Sequence, residues 1–159
     1  MAEVAAAAEV SKPLLYHYFS TKRDLYVAAV RAAAEELREA TKPDPATPPE
    51  ARLRQSLRAH VDWIEANAVG YRALLQGGVS VDPVVQAIVE GSRAEVVTRI
   101  AHGFGFDELP PALRVALSGW VGFLEGACLD WLAAKDISKS HLVRLLTASV
   151  PGAIRAAEV

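Results

Sequence analysis

The chain has one cysteine, almost no excess of either charge and no long uncharged apolar run. Cys128 has no second cysteine with which to form an intrachain disulfide, which favours a reducing, cytoplasmic environment. Charged residues interrupt the apolar segments, so no stretch approaches the roughly 20 apolar residues of a membrane span. The net charge is −2, from 17 basic and 19 acidic side chains, so affinity for nucleic acid requires a local basic patch. We expect a soluble cytoplasmic protein.

Motifs of common enzymes are also missing. The sequence contains no GxSxG, P-loop, GxGxxG or HExxH pattern. Its four histidines, at 17, 60, 102 and 141, show no mutual metal-ligand spacing. Cys128 lies in an apolar helical stripe, where a small hydrophobic role is more common than a nucleophilic one. The sequence therefore predicts neither an enzyme nor a cofactor or metal site.

Apolar residues recur at helical spacing in almost every segment, and none alternates over the length of a strand. This pattern predicts an all-α protein. Four prolines between residues 41 and 50 interrupt one helix, after which Thr47 and Glu50 form a predicted capping box. Asp82 and Ser138 are predicted caps after two later breaks. The predicted helices are 1–9, 11–18, 21–41, 48–76 with a break near Gly70, 83–102, 110–134 and 139–157.

The first 19 residues, MAEVAAAAEVSKPLLYHYF, predict two short helices joined by a tight turn. The turn is expected at Glu9 and Val10, and Ser11 caps the second helix. Leu15 and Phe19 lie four residues apart on that helix and can both face the core. Two short helices in this arrangement are typical of the helix-turn-helix, whose second helix enters the DNA major groove.

The second helix carries an aromatic cluster, Tyr16, His17 and Tyr18, which combines polar atoms with rigid rings suited to phosphates and base edges. In the following STKRDLY, Thr21 and Asp24 can form a capping box around free helix amides, and these amides favour a phosphate. Taken alone, the same aromatics also suit a helix pair whose rings simply pack.

The stretch VAAAAEVSKPLLYHYFSTKRDLYVAAV resembles the DNA-binding signature of TetR-type transcriptional regulators, which reads approximately I-A-x-x-A-G-V-S-x-G-T-L-Y-x-Y-F-x-S-K-x-x-L. The resemblance covers residues 4–30, and the helical remainder is compatible with that family's effector-binding and dimerisation domain. The signature positions here are Val4, Ala5, Ala8, Val10, Leu15, Tyr16, Tyr18, Phe19, Lys22 and Leu25.

The resemblance implies roles for individual residues. Tyr16, Tyr18 and Lys22 stand at positions that commonly touch the DNA backbone, whereas the positions of Lys12, Leu14 and His17 face the groove. The predicted DNA-binding set is Ser11, Lys12, Leu14, Tyr16, His17, Tyr18 and Lys22.

Three departures from the family pattern weaken the expected DNA contact. Glu9 replaces the turn glycine and adds a negative charge. Pro13 and Leu14 replace a glycine and a threonine, which removes an amide and a hydroxyl that could meet phosphate. Family members also carry a basic arm and a further helix ahead of the signature, whereas this sequence starts at Met1. We therefore expect this 159-residue form to bind DNA weakly or not at all, and a longer form to bind a palindromic operator.

The predicted helix over 110–134 carries an apolar seam and, beside it, a row of glycines. Glycine inside a helix costs about 1 kcal/mol relative to alanine, so close approach of another helix is a plausible compensation. Together with the last helix, this surface predicts an isologous four-helix dimer interface. The alternative is that both helices pack within one subunit. The predicted interface residues are Gly119, Gly122, Gly126, Leu142, Leu146 and Ala153.

Polar and aromatic residues on the middle helices predict a ligand pocket. On the helix that follows the prolines, Leu57, Val61 and Ile64 form a core stripe with more polar residues on the adjoining face. Each candidate also has an ordinary alternative as core filler or, for Glu125, as an ion-pair partner across a dimer. The predicted ligand-binding residues are His60, Trp63, Asn67, Tyr71, Trp120, Phe123 and Glu125.

The sequence therefore predicts a helix-turn-helix head over 1–42 and a ligand-binding and dimerisation domain over 43–159. The expected function is that of a homodimeric repressor, released from DNA by a small apolar or aromatic effector. The alternative is a helical ligand-binding dimer whose head no longer binds DNA.

Overall fold

The computed structural model of the chain describes residues 1–7, 9–44, 46–77 and 82–157. These residues form helices and connecting turns without a strand, which confirms the all-α prediction. The helices are α1 (Ala2–Ala7), α2 (Lys12–Tyr18), α3 (Lys22–Ala40), α4 (Pro49–Ala66), α5 (Ala68–Gly77), α6 (Pro83–Gly103), α7 (Pro111–Ala134) and α8 (Lys139–Ala157).

Side-chain caps account for the starts of four helices, α2, α3, α6 and α8. Ser11 accepts from the amide of Leu14 at 3.2 Å, and the Thr21–Asp24 capping box is complete, with both bonds at 3.0 Å. Asp82 caps α6, and Ser138 accepts from the amide of His141 at 3.2 Å. These four caps confirm the predictions from the sequence.

Two local predictions are wrong. Thr47 does not cap α4, because Pro49 occupies the first helical position and the N-cap is Pro48, which has no side-chain acceptor. The break between α4 and α5 falls at Asn67 rather than near Gly70. There the Asn67 amide donates to the carbonyl of Trp63 at 3.0 Å, so the side chain ends the helix by satisfying one of its last carbonyls.

The core lies around α7, which packs against α8, α6 and α4. Its apolar seam faces inward as predicted, and the core stripe of α4 meets it. Each fully buried leucine or isoleucine contributes about 1.5–3 kcal/mol through the loss of apolar surface from water. The side chains that are almost completely buried are Val61, Ile64, Val85, Leu117, Cys128, Leu142, Leu146 and Val150.

Helix α7 is also the exception to the expectation that no segment could span a membrane. By length and composition alone it is long and apolar enough. Its apolar side chains Leu113, Leu117, Leu124 and Cys128 are nevertheless buried against neighbouring helices, as in the central helix of a soluble protein. Packing within the fold therefore accounts for the buried apolar side chains of α7, whereas Val115 and Phe123 on its other face are exposed.

Helix α3 links the short amino-terminal pair α1 and α2 to the rest of the fold. It packs against α6 along its length and also contacts α4. At its carboxyl end, Thr41 is buried and accepts a hydrogen bond from Nη2 of Arg99 on α6 at 3.2 Å. Direct contacts therefore join α6 to α3.

Candidate DNA-binding surface, effector site and subunit interface

The turn between α1 and α2 is a left-handed helix C-cap. The amide of Val10 donates to the carbonyl of Ala5 at 3.0 Å, and the amide of Glu9 donates to Ala6 at 3.2 Å. Glu9 has φ 55°, in the left-handed region that favours glycine. The turn therefore forms at the expected place, with a strained residue at its centre.

Helix α2 is held against the fold by Leu15, which is buried, and Phe19 is half-buried beyond it. The remaining side chains point outward. Tyr16 is 45% and Tyr18 71% exposed, and the ring of His17 stands edge-on to that of Tyr18 with centroids 5.3 Å apart. All seven residues of the predicted DNA-binding set are exposed, namely Ser11, Lys12, Leu14, Tyr16, His17, Tyr18 and Lys22.

The start of α3 adds a second element beside α2. Lys22 occupies its first turn and is exposed, next to the capped helix terminus. Free amides and the positive end of a helix dipole both favour an anion at such a position. Lys22 and the outward face of α2 therefore form one exposed surface that can meet a phosphate backbone.

Arg23, beside that surface, is engaged in an exposed ion pair. Its Nε donates to Oδ2 of Asp82 at 2.6 Å, and its Nη2 donates to Oδ1 at 3.1 Å. Asp82 simultaneously caps α6 through the amides of Val84 and Val85. The Arg23 guanidinium, together with these amides, holds the pKa of the Asp82 carboxyl below its ordinary value. Lys12 and Lys22 are the basic side chains of this surface that form no ion pair among the described residues.

His60, a predicted ligand residue, lies on the part of α4 that contacts α6. It is buried, and its Nε2 has no hydrogen-bond partner among the described residues. Burial lowers the pKa of His60 to about 4, with a further contribution from the charge of Arg99. The imidazole is therefore neutral at physiological pH and belongs to the contact region of α4 with α6.

Four other predicted pocket residues lie in different environments. Trp120 is buried in the core, where its Nε1 donates to Oγ of Ser149 at 2.8 Å. Phe123 is 43% exposed on the outer face of α7, and Asn67 is exposed at the end of α4. Trp63 is half-buried and packs against the core. None of the four lines the cleft between α6 and α7 described below, and their role in ligand binding stays a prediction.

Tyr71 and Glu125, in contrast, lie close enough to interact. Tyr71 is buried and its hydroxyl has no partner in the described part of the chain. Burial raises the pKa of Tyr71, and the charges of Cys128 and Glu125 raise it further. Glu125 pairs with Arg93 of α6 within the same subunit, at 2.9 and 2.8 Å, rather than across a dimer. An unpartnered buried hydroxyl beside a bidentate ion pair is a plausible polar end for a ligand site.

The Arg93–Glu125 pair borders a cleft of about 570 Å³ between α6 and α7. Arg93 also binds Glu90 at 2.6 Å. The sequence pattern did not identify this cleft, although Arg93 interrupts an otherwise apolar i, i+4 row of α6, which could have indicated it. The cleft is lined by Glu90, Arg93, Ala94, Val97, Thr98, Leu109, Arg114, Ser118, Val121, Gly122 and Glu125.

The predicted interface residues divide into two groups. Gly119, Gly122 and Gly126 are exposed, and a Cβ added to any of them would meet no atom of the subunit within 4 Å. Leu142 and Leu146 are only 2% and 0% exposed. Their prediction as interface residues is therefore wrong, because both side chains already fill the core of their own subunit.

The outward face of α8 carries other residues. Leu145 is 41% exposed, and Ala148 and Gly152 follow it on the same side at helical spacing. Ala153, another predicted contact, is half-buried. On α7, Val115 and Phe123 flank the exposed glycines. The two adjacent helices thus share a broad outer face of small and apolar residues.

The chain is similar to known regulators over both of its parts. Residues 49–151 match the family model of the tetracyclin repressor-like C-terminal domain, and residues 1–29 match that of the tetR family of bacterial regulatory proteins. The HTH-type transcriptional activator FasR of Mycolicibacterium smegmatis (strain ATCC 700084 / mc(2)155) is 36% identical over 94 residues. That alignment covers 57% of this chain and 42% of FasR, so the chain spans less than half the length of this relative.

Solved structures agree with this assignment. A tetR-family transcriptional regulator from Streptomyces coelicolor aligns with a TM-score of 0.88 and 28% identity, over 98% of this chain and 70% of that one. A TetR-like transcriptional regulator from Rhodococcus sp. RHA1 aligns with a TM-score of 0.75 and 24% identity, over 96% of this chain and 82% of that one. The fatty acid degradation regulator FadR from Bacillus halodurans aligns with a TM-score of 0.69 and 20% identity, over 94% of this chain and 85% of that one. The Rhodococcus and Bacillus structures show the fold alone. The chain therefore belongs to the TetR family, a family of DNA-binding transcriptional regulators rather than enzymes.

Proposed function

We propose that the protein is a cytoplasmic, homodimeric repressor that binds a palindromic operator and is released from it by a small effector. The observation that carries this proposal is the outward face of α2. Tyr16, His17 and Tyr18 are exposed together on a capped helix that buried Leu15 fixes to the fold. Residues 1–42 would act as the DNA-binding head and residues 43–159 as the effector-binding and dimerisation domain.

In the proposed complex, α2 lies in the major groove. Lys12, Leu14 and His17 face base edges, while the phenols of Tyr16 and Tyr18 reach backbone phosphates. Beside them, Lys22 and the first turn of α3 bind a further phosphate. With few cations on this surface, affinity from a single head is low, and two heads on one palindrome are needed for tight binding.

Dimerisation would use the outer faces of α7 and α8. Gly119 and Gly126 allow close approach of a partner helix, and Phe123 and Leu145 supply apolar area. A twofold axis through this face would make it self-complementary and produce a four-helix bundle. It would also place two copies of α2 on the same side of the dimer, as a palindrome requires.

Effector control would act through α6. This helix carries Arg93, which borders the α6–α7 cleft, and its first turn holds Asp82, which binds Arg23 of α3. A ligand that moves α6 relative to α7 would therefore shift α3 and the heads, and it would favour one of two subunit arrangements.

A second candidate function is activation of transcription instead of repression. FasR is named as an activator, so the same architecture would serve activation if the ligand-bound dimer were the DNA-binding form. A different alternative is a ligand-binding dimer that does not bind DNA. It is favoured by the engagement of Arg23 with Asp82 and by the acidic Glu9 beside the reading helix.

Titration of fluorescent promoter DNA from beside the protein's own gene tests the proposal. Tyr16→Phe removes one phosphate-binding hydroxyl without changing the fold, and we expect about fivefold to tenfold weaker binding. Tyr26→Phe, at an exposed tyrosine further along α3, is the matched control and should bind like the wild type. Absence of any binding by the wild type would support the non-DNA-binding alternative, and equal loss in both variants would contradict the assignment of Tyr16 to the DNA contact.

A further inference from the structure

The cleft between α6 and α7 contains an arginine without an acidic partner. Arg114 lies in the first turn of α7 and is exposed. In the described ranges it makes no ion pair or side-chain hydrogen bond, although it lines the same cleft as two glutamates. A free guanidinium in a concave site is a strong donor for a carboxylate, because it can form two parallel bonds.

Both glutamates of the cleft are already committed to Arg93. Glu125 binds Arg93 through both oxygens, and Glu90 binds it at 2.6 Å. Arg93 and the two glutamates together carry a net charge of −1, and Arg114 is the cleft cation that can pair with a ligand without breaking an existing pair.

Beyond its four charged side chains, the cleft is lined by apolar residues together with Thr98 and Ser118. Val97 and Val121 are buried side chains at its walls, and Leu109 is half-buried between them and the rim. The volume of about 570 Å³ lies within the roughly 300–1,000 Å³ typical of small-molecule sites. Apolar walls with one unpaired cation are complementary to a molecule that has an apolar body and a single negative charge.

We propose that the α6–α7 cleft binds an amphipathic monoanion, a carboxylate carried on an apolar body, with Arg114 as the partner of the carboxylate. This inference rests on the proposed function, because it names the chemistry of the effector. The carboxylate pairs with Arg114 at the rim, and the apolar body packs between Val97 and Val121. Occupancy holds α6 away from α7 on the side where Arg93 and Glu125 join them.

The test is calorimetric titration of the full chain, without DNA, with three probes that share one apolar body. These are 4-phenylbutanoate, 4-phenylbutanamide and 4-phenylbutylamine. We expect the carboxylate to bind most tightly. Arg114→Gln should weaken binding of the carboxylate probe about tenfold and leave binding of the amide probe unchanged, as expected for loss of one charge-assisted pair. Arg54→Gln, at an exposed arginine of α4 outside the cleft, is the matched control and should change neither.

A second variant distinguishes a change in ligand binding from damage to the fold. Glu90→Gln removes a negative charge from the cleft and releases part of Arg93, so the carboxylate should bind more tightly, a gain that unfolding cannot produce. Two results would overturn the inference. One is equal affinity of the wild type for the carboxylate and the amide, and the other is an Arg114→Gln variant that binds the carboxylate as tightly as the wild type does. Since DNA is absent from this assay, failure here would leave the DNA-binding proposal intact, and loss of DNA binding would leave this result intact.

Discussion

Arg23 and Asp82 are joined by two hydrogen bonds, Nε to Oδ2 at 2.6 Å and Nη2 to Oδ1 at 3.1 Å. The same Asp82 carboxylate caps α6. This one side chain therefore connects the first turn of α3 to the first turn of α6. One of these helices, α3, follows α2, and the other, α6, borders the cleft. The pair therefore connects the start of α3 directly to the start of α6.

Asp82→Asn should loosen that connection. Asparagine keeps an oxygen that can cap α6 but loses the charge that binds Arg23. We expect amide hydrogen exchange in residues 25–28 to become about two- to fivefold faster. Glu35→Gln, which removes an exposed pair with Arg38 on the same helix, is the control. Equal exchange rates in the wild type and Asp82→Asn would show that the pair does not hold α3.

His60 should make stability fall in weak acid. Its pKa is about 4 in the fold, below the ordinary 6.5, so the unfolded chain binds the proton first as pH falls. Stability is therefore complete above pH 6.5 and declines towards pH 4, by a total of about 3 kcal/mol. His60→Leu should remove this decline, and exposed His141→Leu should retain it. Urea unfolding between pH 7 and 4 measures the difference; parallel curves for wild type and His60→Leu would contradict the assignment.

Glu9→Gly should stabilise the turn between α1 and α2. A left-handed φ costs a non-glycine residue roughly 1 kcal/mol, and glycine removes that cost. Glu9→Ala removes the charge but keeps the Cβ, so it separates strain from electrostatics. Denaturant unfolding should give the glycine variant the higher stability of the two. A glycine variant no more stable than the alanine variant would mean that the turn carries no strain.

Gly119→Leu should dissociate the proposed dimer and leave the subunit folded. A side chain at this position has open space within its own subunit, so a loss of association would reflect the partner alone. Gly91→Leu, at a similarly open glycine of α6, is the matched control. Native mass spectrometry should show monomer for Gly119→Leu and dimer for wild type and Gly91→Leu. A dimeric Gly119→Leu variant would place the interface elsewhere.

The sequence predicted the helices well because their signals are local. Periodic apolar residues and the caps Ser11, Thr21 and Asp82 each depend on neighbours within four positions. The break at Asn67 was misplaced because its cause is one side-chain bond to a carbonyl, whereas the more obvious Gly70 continues the helix.

The site was predicted less completely because its contacts join distant parts of the chain. An apolar stripe on α8 indicates burial, but it does not say whether Leu146 packs in its own subunit or against a partner. The pairs Arg93–Glu125 and Arg23–Asp82 are separated by 32 and 59 residues, and no local pattern indicates either partner. The exposure of Tyr16, His17 and Tyr18 was predictable because the spacing of residues on one short helix is itself a local signal, and their contact with DNA stays a prediction.

Selection from a random duplex library tests the central claim, that α2 reads DNA, most directly. The wild type should enrich a palindromic sequence. His17→Ala should change the preferred bases at symmetric positions, while Lys22→Gln should retain the sequence and only lower affinity and the salt dependence, by a slope of about 1. Failure to enrich any sequence, or an unchanged preference in His17→Ala together with an altered one in Lys22→Gln, would contradict the account.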